Sequence, residues 1–326
     1  MRNATLDILR VIAMMMIVLM HSPMPGSASG IVLAGISYLT APGIGLFFMV
    51  SGALLLGNKL SQQEFLTRRF SKVLWPTLFW TAFYIAVSCI KAHEWPSMRA
   101  ILSIPFSAQG NGVLWFMYTL AGLYLLTPIL SRWLHSASRR EVEFYLLLWG
   151  ITLLYPYLKM GLSINDSNSG ILYYFTGYAG YFLLGYYLKR YPPQGRKFWA
   201  LFMTAVFVAV LAPAIIMTSG IKYNFYEVLW YLSLPVALMS MTWFITIQQL
   251  NFKSIPGHLT QCAKLSFGIY LVHIFVMRDI LWRLAFVQAM PGILQTLTIT
   301  CLTFAISWAI AYGISKLPGS KYIVGM

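Results

Sequence analysis

Three side chains able to do chemistry share one apolar stretch, residues 6–22: the carboxylate of Asp7, the guanidinium of Arg10 and the imidazole of His21. Arginine grips anions, and histidine exchanges a proton near neutral pH. Ionisable groups are costly at membrane depth and mark function there. At about 100° per residue, the eleven positions between Arg10 and His21 leave them about 20° apart on one helix face, with Asp7 on the same side about a turn earlier. A rise of ~1.5 Å per residue sets His21 some 16 Å beyond Arg10. Such a helix addresses both sides of a bilayer.

The elements that must position this stripe follow from composition. The 326 residues are 59% hydrophobic and 10% charged, with a mean hydropathy of +0.71. These values exclude an ordinary soluble domain and indicate an all-α, polytopic membrane protein. A net charge of +15 in a soluble chain would point to nucleic acid, but here the basic residues form short clusters between apolar runs and read as topology signals. Nucleic-acid binding is therefore not expected. Cys89, Cys262 and Cys301 show no CxxC spacing and read as small packing residues. No HExxH or similar spacing occurs, so no metal is required. Arg2, the apolar run after it and the small residues at 26–30 imitate a secretory signal, but Asp7 and Arg10 interrupt its core. The segment is expected to remain as the first span.

Ten apolar runs are long enough to cross a bilayer, near residues 5–23, 40–57, 73–91, 113–131, 142–159, 171–188, 198–218, 228–248, 265–283 and 292–314. Of the 23 Lys and Arg, 17 fall on the side of the N-terminus and 6 on the other, which predicts cytoplasmic termini. The expectation is a single integral-membrane domain over residues 1–326. The longer external connections are 24–39, 92–112 and 160–170, with turn signals at Gln109-Gly110-Asn111-Gly112 and Asn165-Asp166-Ser167-Asn168. No inverted repeat relates the halves, which weakens a transporter reading.

Five local patterns occur in order. They are Leu6-Asp7-Ile8-Leu9-Arg10 with His21; Leu46-Phe47-Phe48-Met49-Val50-Ser51-Gly52; Arg68-Arg69-Phe70-Ser71-Lys72 before Trp75-Pro76; Leu114-Trp115-Phe116 with Pro128; and Leu265-Ser266-Phe267-Gly268-Ile269-Tyr270-Leu271-Val272-His273. In this order and spacing the chain resembles the membrane acyltransferase-3 family, which includes O-antigen and enterobacterial-common-antigen O-acetyltransferases. The resemblance runs through residue 273 at least. It implies a ten-helix enzyme of a bacterial cytoplasmic (inner) membrane that takes an acyl group, usually acetyl, from cytosolic acyl-CoA. The acceptor it implies is a hydroxyl of a surface polysaccharide or lipid-linked glycan. The family's Arg-x10-His pair maps onto Arg10 and His21. Its RxxR element maps onto Arg69 and Lys72, where lysine keeps the charge but loses the planar fork.

The chemistry of the residues agrees with that implication. Acyl transfer to a hydroxyl needs a base, a holder for the donor phosphates and a donor near the developing oxyanion. His21 is the expected base, and Arg10 with Arg68, Arg69 and Lys72 is the expected acetyl-CoA holder. For Arg68, positive-inside charge explains the residue equally well. Among the outer carboxylates Glu94, Asp166, Glu227 and Asp279, Glu227 is the first choice to orient His21. His273, three residues after Tyr270, is either a second acid/base group or half of a packed polar pair. Trp115 and Tyr270 are candidate substrate-binding residues, although an interfacial aromatic belt also accounts for Trp115. Ser51-Gly52 permits a close approach by a helix or by the pantetheine arm, with helix packing preferred. The rival readings are a transporter exporting a glycan precursor or acylated small molecule, and a structural subunit of a polysaccharide-assembly complex.

Overall fold

The structure, a computed structural model, describes residues 3–24, 29–108, 113–162 and 170–325. Arg2, positions 26–28 of the signal-like stretch and the turns at 109–112 and 165–168, with Asp166, lie outside the described residues. Every regular element among the described residues is helical. The first is α1 (Ala4–His21), opened by Asn3, whose side chain accepts from the Leu6 N–H. Next come α2 (Gly30–Thr40) and α3 (Pro42–Leu55), which meet at Ala41. Then α4 (Gln62–Phe65) runs through a π-helical turn, Leu66–Phe70, into α5 (Ser71–Ala92). The chain continues through α6 (Met98–Ser103), α7 (Trp115–Ser136), α8 (Arg139–Thr152), α9 (Tyr155–Leu162) and α10 (Ala179–Arg190). After these lie α11 (Gly195–Thr218), α12 (Phe225–Val228), α13 (Leu234–Gln249) and α14 (Gly257–Ile274). A second π-helical stretch, Phe275–Ile280, extends α14, and α15 (Ala285–Gln288), α16 (Gly292–Ser315) and the turn Ser320–Tyr322 complete the order.

Six helical stretches among the described residues are long and apolar enough to cross a membrane: Ala4–His21, Gly30–Leu55, Gln62–Ala92, Gly195–Thr218, Gly257–Arg283 and Gly292–Ser315. They coincide with six of the ten apolar runs. The other four fall on α7, on α8 with α9, on α10, and on α12 with α13.

Two expectations need correction. The supposed connection 24–39 is largely α2, because Ser29 caps the Val32 N–H and the apolar residues after it continue the helix to Thr40. The run 142–159 is broken after Thr152. A proline ring clashes with the carbonyl four residues earlier, and for Pro156 that residue is Thr152, the last of α8.

Other prolines free carbonyls that need donors where water is scarce. Pro213 lies inside α11, and Tyr38 donates its hydroxyl to the Ala209 carbonyl at 2.8 Å. Pro235 lies in the first turn of α13, where a missing N–H costs no helical bond, and just before that helix Tyr181 donates to the Tyr231 carbonyl at 2.6 Å.

Contacts sort the chain into two compact units. The first comprises Met1–Asn58 and Leu130–Thr260, and the second Lys59–Ile129 and Gln261–Met326. In the first unit α3 is buried on nearly every side, as a helix apolar nearly all round must be. Small residues let its neighbours approach. A Cβ on Gly43 would meet Met16 of α1, one on Gly45 would meet Ser240 of α13, and one on Gly52 would lie 1.8 Å from the Phe182 carbonyl oxygen of α10. Gly185 of α10 approaches the Met49 carbonyl in the same way. Helix packing therefore accounts for Ser51-Gly52.

In the second unit α14 rests on α16 where Gly268 meets Ala311, and Tyr84 of α5 donates to the Leu271 carbonyl at 2.8 Å. The turn Ser320–Tyr322 is pinned to α5 because Trp80 Nε1 donates to the Ile323 carbonyl at 2.9 Å. Gly325 lies against the Lys72 carbonyl, which Pro76, four residues on, leaves without a helical donor. No strand and no cluster of metal-ligating side chains occurs among the described residues.

Candidate active site

α1 is buried along Leu6, Leu9, Ala13, Met14, Ile17 and Val18. Met14 and Ile17, between Arg10 and His21 on their stripe, are 1% and 0% exposed, whereas Arg10 and His21 themselves are half-buried. The stripe is thus sealed in the middle and accessible at both ends. At the first end Asp7, itself buried, lies 3.7 Å from the Arg10 guanidinium and restrains its rotamer.

At the second end, His21 Nδ1 lies 2.8 Å from the Ile17 carbonyl oxygen. A carbonyl only accepts, so Nδ1 carries the proton, and in the neutral ring Nε2 is the basic nitrogen. A backbone group, one turn earlier, therefore orients the histidine. The next residue, Ser22, donates its hydroxyl to the Val18 carbonyl at 2.6 Å and closes the helix end.

Arg68, Arg69 and Lys72 come together in the second unit. The π-helical turn carries both arginines, a distortion frequent at functional sites. With Thr67, Ser71 and Trp75 they line an open cleft of about 740 Å³, whose far wall is Lys321 and Tyr322. Trp75 and Tyr322 meet edge to face at 6.2 Å, and the Lys321 ammonium lies 4.8 Å from the Tyr322 ring centre. Arg68 also pairs with Glu64 at 3.7 Å. The cleft presents four cations and two aromatic rings, which suits phosphates joined to a flat heterocycle.

The other sequence candidates of this unit cluster around α14. His273 is fully buried, and its Nδ1 bonds to the Tyr270 carbonyl. Tyr270 is 5% exposed, donates its hydroxyl to the Val113 carbonyl and packs 5.3 Å from Phe116. Trp115 is half-buried at the start of α7, edge to face with Phe116 at 6.3 Å. Of the outer carboxylates, Asp279 pairs with Lys91 and Arg283. Glu227, in the first unit, pairs with Lys159 at 3.1 Å and accepts from Asn224 at 3.5 Å.

Sequence reading missed Trp75, Lys321 and Tyr322 as parts of one cleft. Their one local signal was the basic and aromatic pair Lys321-Tyr322 after the last apolar run, which topology also explained. It missed as well Tyr231, whose hydroxyl donates to Met20 Sδ at 3.4 Å, beside His21 in the chain.

Six helical stretches among the described residues are long and apolar enough to cross a bilayer, one of them with Arg10 and His21 toward opposite ends, which is the make-up of a multi-pass membrane protein. The chain belongs to the acyltransferase-3 family, whose model, described as an acyltransferase domain, matches residues 3–312. It is an acyltransferase, of a family that acylates carbohydrate hydroxyls. No curated protein and no solved structure matches the chain.

Proposed function

We propose that the protein transfers an acyl group, most simply acetyl, from cytosolic acyl-CoA to a hydroxyl of an extracytoplasmic or lipid-linked surface glycan, in the cytoplasmic membrane of a bacterium. The observation that carries this reading is His21: half-buried at one end of a sealed helix stripe, with Nδ1–H bonded to the Ile17 carbonyl, a tautomer in which Nε2 is the basic nitrogen. In a direct transfer, Nε2 takes the proton of the glycan hydroxyl as its oxygen bonds to the thioester carbonyl carbon. The C–S bond then breaks, and the proton passes to the departing thiolate.

The basic cleft supports the donor half of the proposal. Arg68, Arg69, Lys72 and Lys321 would hold the donor phosphates, and Trp75 with Tyr322 would flank the adenine. Arg10 lies on the His21 helix at the end that the proposed topology, about ten spans with cytoplasmic termini, puts nearer the cytoplasm. The test is acetyl-ester analysis of surface glycans from cells with and without the gene. Esters that disappear with the gene and return with it support the proposal. An unchanged ester content contradicts it.

A further inference from the structure

The first unit holds a second cleft, of about 280 Å³, between the end of α8, α9, the residues just before α10 and the segment from α12 to α13. That volume lies at the small end for ligand pockets, which suits one sugar ring with its substituents rather than a long chain. Its walls are aromatic. Tyr226 and Trp230 meet edge to face at 5.0 Å, Trp230 and Tyr231 lie 4.4 Å apart, and Tyr155 and Tyr178 line the same cavity. Its polar members are Lys159 and Glu227, 3.1 Å apart, with Thr152 and Thr176.

From this geometry we infer that the cleft binds a saccharide ring of the acceptor and presents its hydroxyl toward His21. A pyranose has an apolar C–H face, which stacks on aromatic rings, and a rim of hydroxyls, each both donor and acceptor. The cleft supplies a match for both, with ring faces on one hand and a charged donor beside a charged acceptor on the other. Its charges cancel. A polyanion such as a nucleotide is better served by the four cations of the donor cleft, whereas a neutral polyol meets no penalty here.

One contact ties the cleft to the helix that carries the histidine. Tyr231 forms part of its wall and reaches Met20, the residue before His21, with its hydroxyl. The Tyr231 backbone is fixed in turn, because its carbonyl, just before α13, accepts from Tyr181. Tyr178 is held by Phe48 of the central helix at 4.9 Å. The wall next to α1 is thus rigid, and Tyr226, 66% exposed, is the open lip.

The inference rests on the acyl-transfer reading for its acceptor, and the test separates the two. Full-length protein in lipid nanodiscs is titrated with a panel of methyl hexopyranosides and methyl 2-acetamido-hexopyranosides, followed by saturation-transfer NMR. In parallel, acyl transfer to a membrane glycan fraction is measured. Binding of at least one panel sugar is expected to weaken about tenfold in Tyr226→Ala and in Glu227→Gln. The acceptor KM should rise to match while acyl-CoA affinity stays unchanged, which also reports an intact fold. Variants that transfer to glycan with an unchanged acceptor KM, or sugar signals equal to wild type, overturn the cleft and leave acyl transfer standing. Sugar binding that depends on Tyr226 without any transfer by the wild type upholds the cleft and overturns the acyl-transfer reading. A panel in which no sugar binds the wild type overturns the cleft.

Discussion

The ring of His21 is held through Nδ1 by the carbonyl oxygen of Ile17, one helical turn earlier at 2.8 Å. A catalytic histidine needs a fixed tautomer, and a carboxylate is one common way to set it. Here the helix itself supplies an acceptor, and Glu227 pairs with Lys159. Two consequences follow. Glu227→Gln leaves the His21 tautomer in place, and any substitution that removes the imidazole removes the base without disturbing the ion pair between Asp7 and Arg10.

For the donor cleft, the double variant Arg69→Ala with Lys72→Ala is expected to lower acyl-CoA affinity at least tenfold in a folded protein. A charge-assisted contact contributes ~1.5–3 kcal/mol, and both side chains are exposed, so the lower figure applies. Raising the salt concentration should weaken wild-type binding more than binding by the variant. Isothermal titration with acetyl-CoA measures both. Equal affinity in the two proteins would confine these residues to membrane topology.

Lys321→Ala is the sharper test of the same cleft, because only the fold brings residue 321 to Arg69 and Lys72. Affinity for acetyl-CoA should fall several-fold, and affinity for dephospho-CoA by less if Lys321 meets the ribose phosphate. Identical losses for both ligands would assign Lys321 to the pyrophosphate, and no loss for either would remove it from the site.

Packing in the first unit predicts a contrast between glycines. A Cβ at Gly52 would lie 1.8 Å from the Phe182 carbonyl oxygen, so Gly52→Ala must separate α3 from α10. The expected cost is ~1–3 kcal/mol or more, seen as a lower melting temperature in detergent. Gly122 of α7 has nothing within 4 Å of the corresponding position, and Gly122→Ala should be neutral or slightly stabilising. A stable Gly52→Ala protein would contradict the close contact of α3 and α10.

How much of this was legible in the sequence depends on the range of the interaction. The stripe of Asp7, Arg10 and His21 could be read because one helix sets it, and helical periodicity is a local rule. The apolar runs were legible for the same reason. The basic cleft was half legible: Arg68, Arg69 and Lys72 are neighbours in the chain, while Lys321 and Tyr322 reach them through the bond from Trp80 to Ile323. α2 was misread because Gly, Pro and Ser before Ser29 dominated the composition and hid the cap. The tyrosines that donate to distant backbone carbonyls, Tyr38 to the proline-freed Ala209 and Tyr181 to Tyr231, follow from no sequence pattern. They are set by which helices pack together.

The basic asymmetry across the loops predicts an orientation with cytoplasmic termini. Reporter fusions at residues 64, 136 and 194 should report cytoplasm, and fusions at 100 and 222 the far side. A cytoplasmic signal at 222 would put the aromatic cleft on the donor side and contradict its role as the acceptor site.

The central claim is that His21 removes the proton from the acceptor hydroxyl. It is tested most directly by single-turnover transfer from acetyl-labelled acetyl-CoA to a membrane glycan fraction, with wild type and His21→Gln in nanodiscs at saturating donor. Glutamine keeps a neutral hydrogen bond but does not take a proton at physiological pH. The account predicts equal acetyl-CoA binding by the two proteins and ester formation slower by ~10²- to 10⁴-fold in the variant. Ester formation by His21→Gln at the wild-type rate would contradict it.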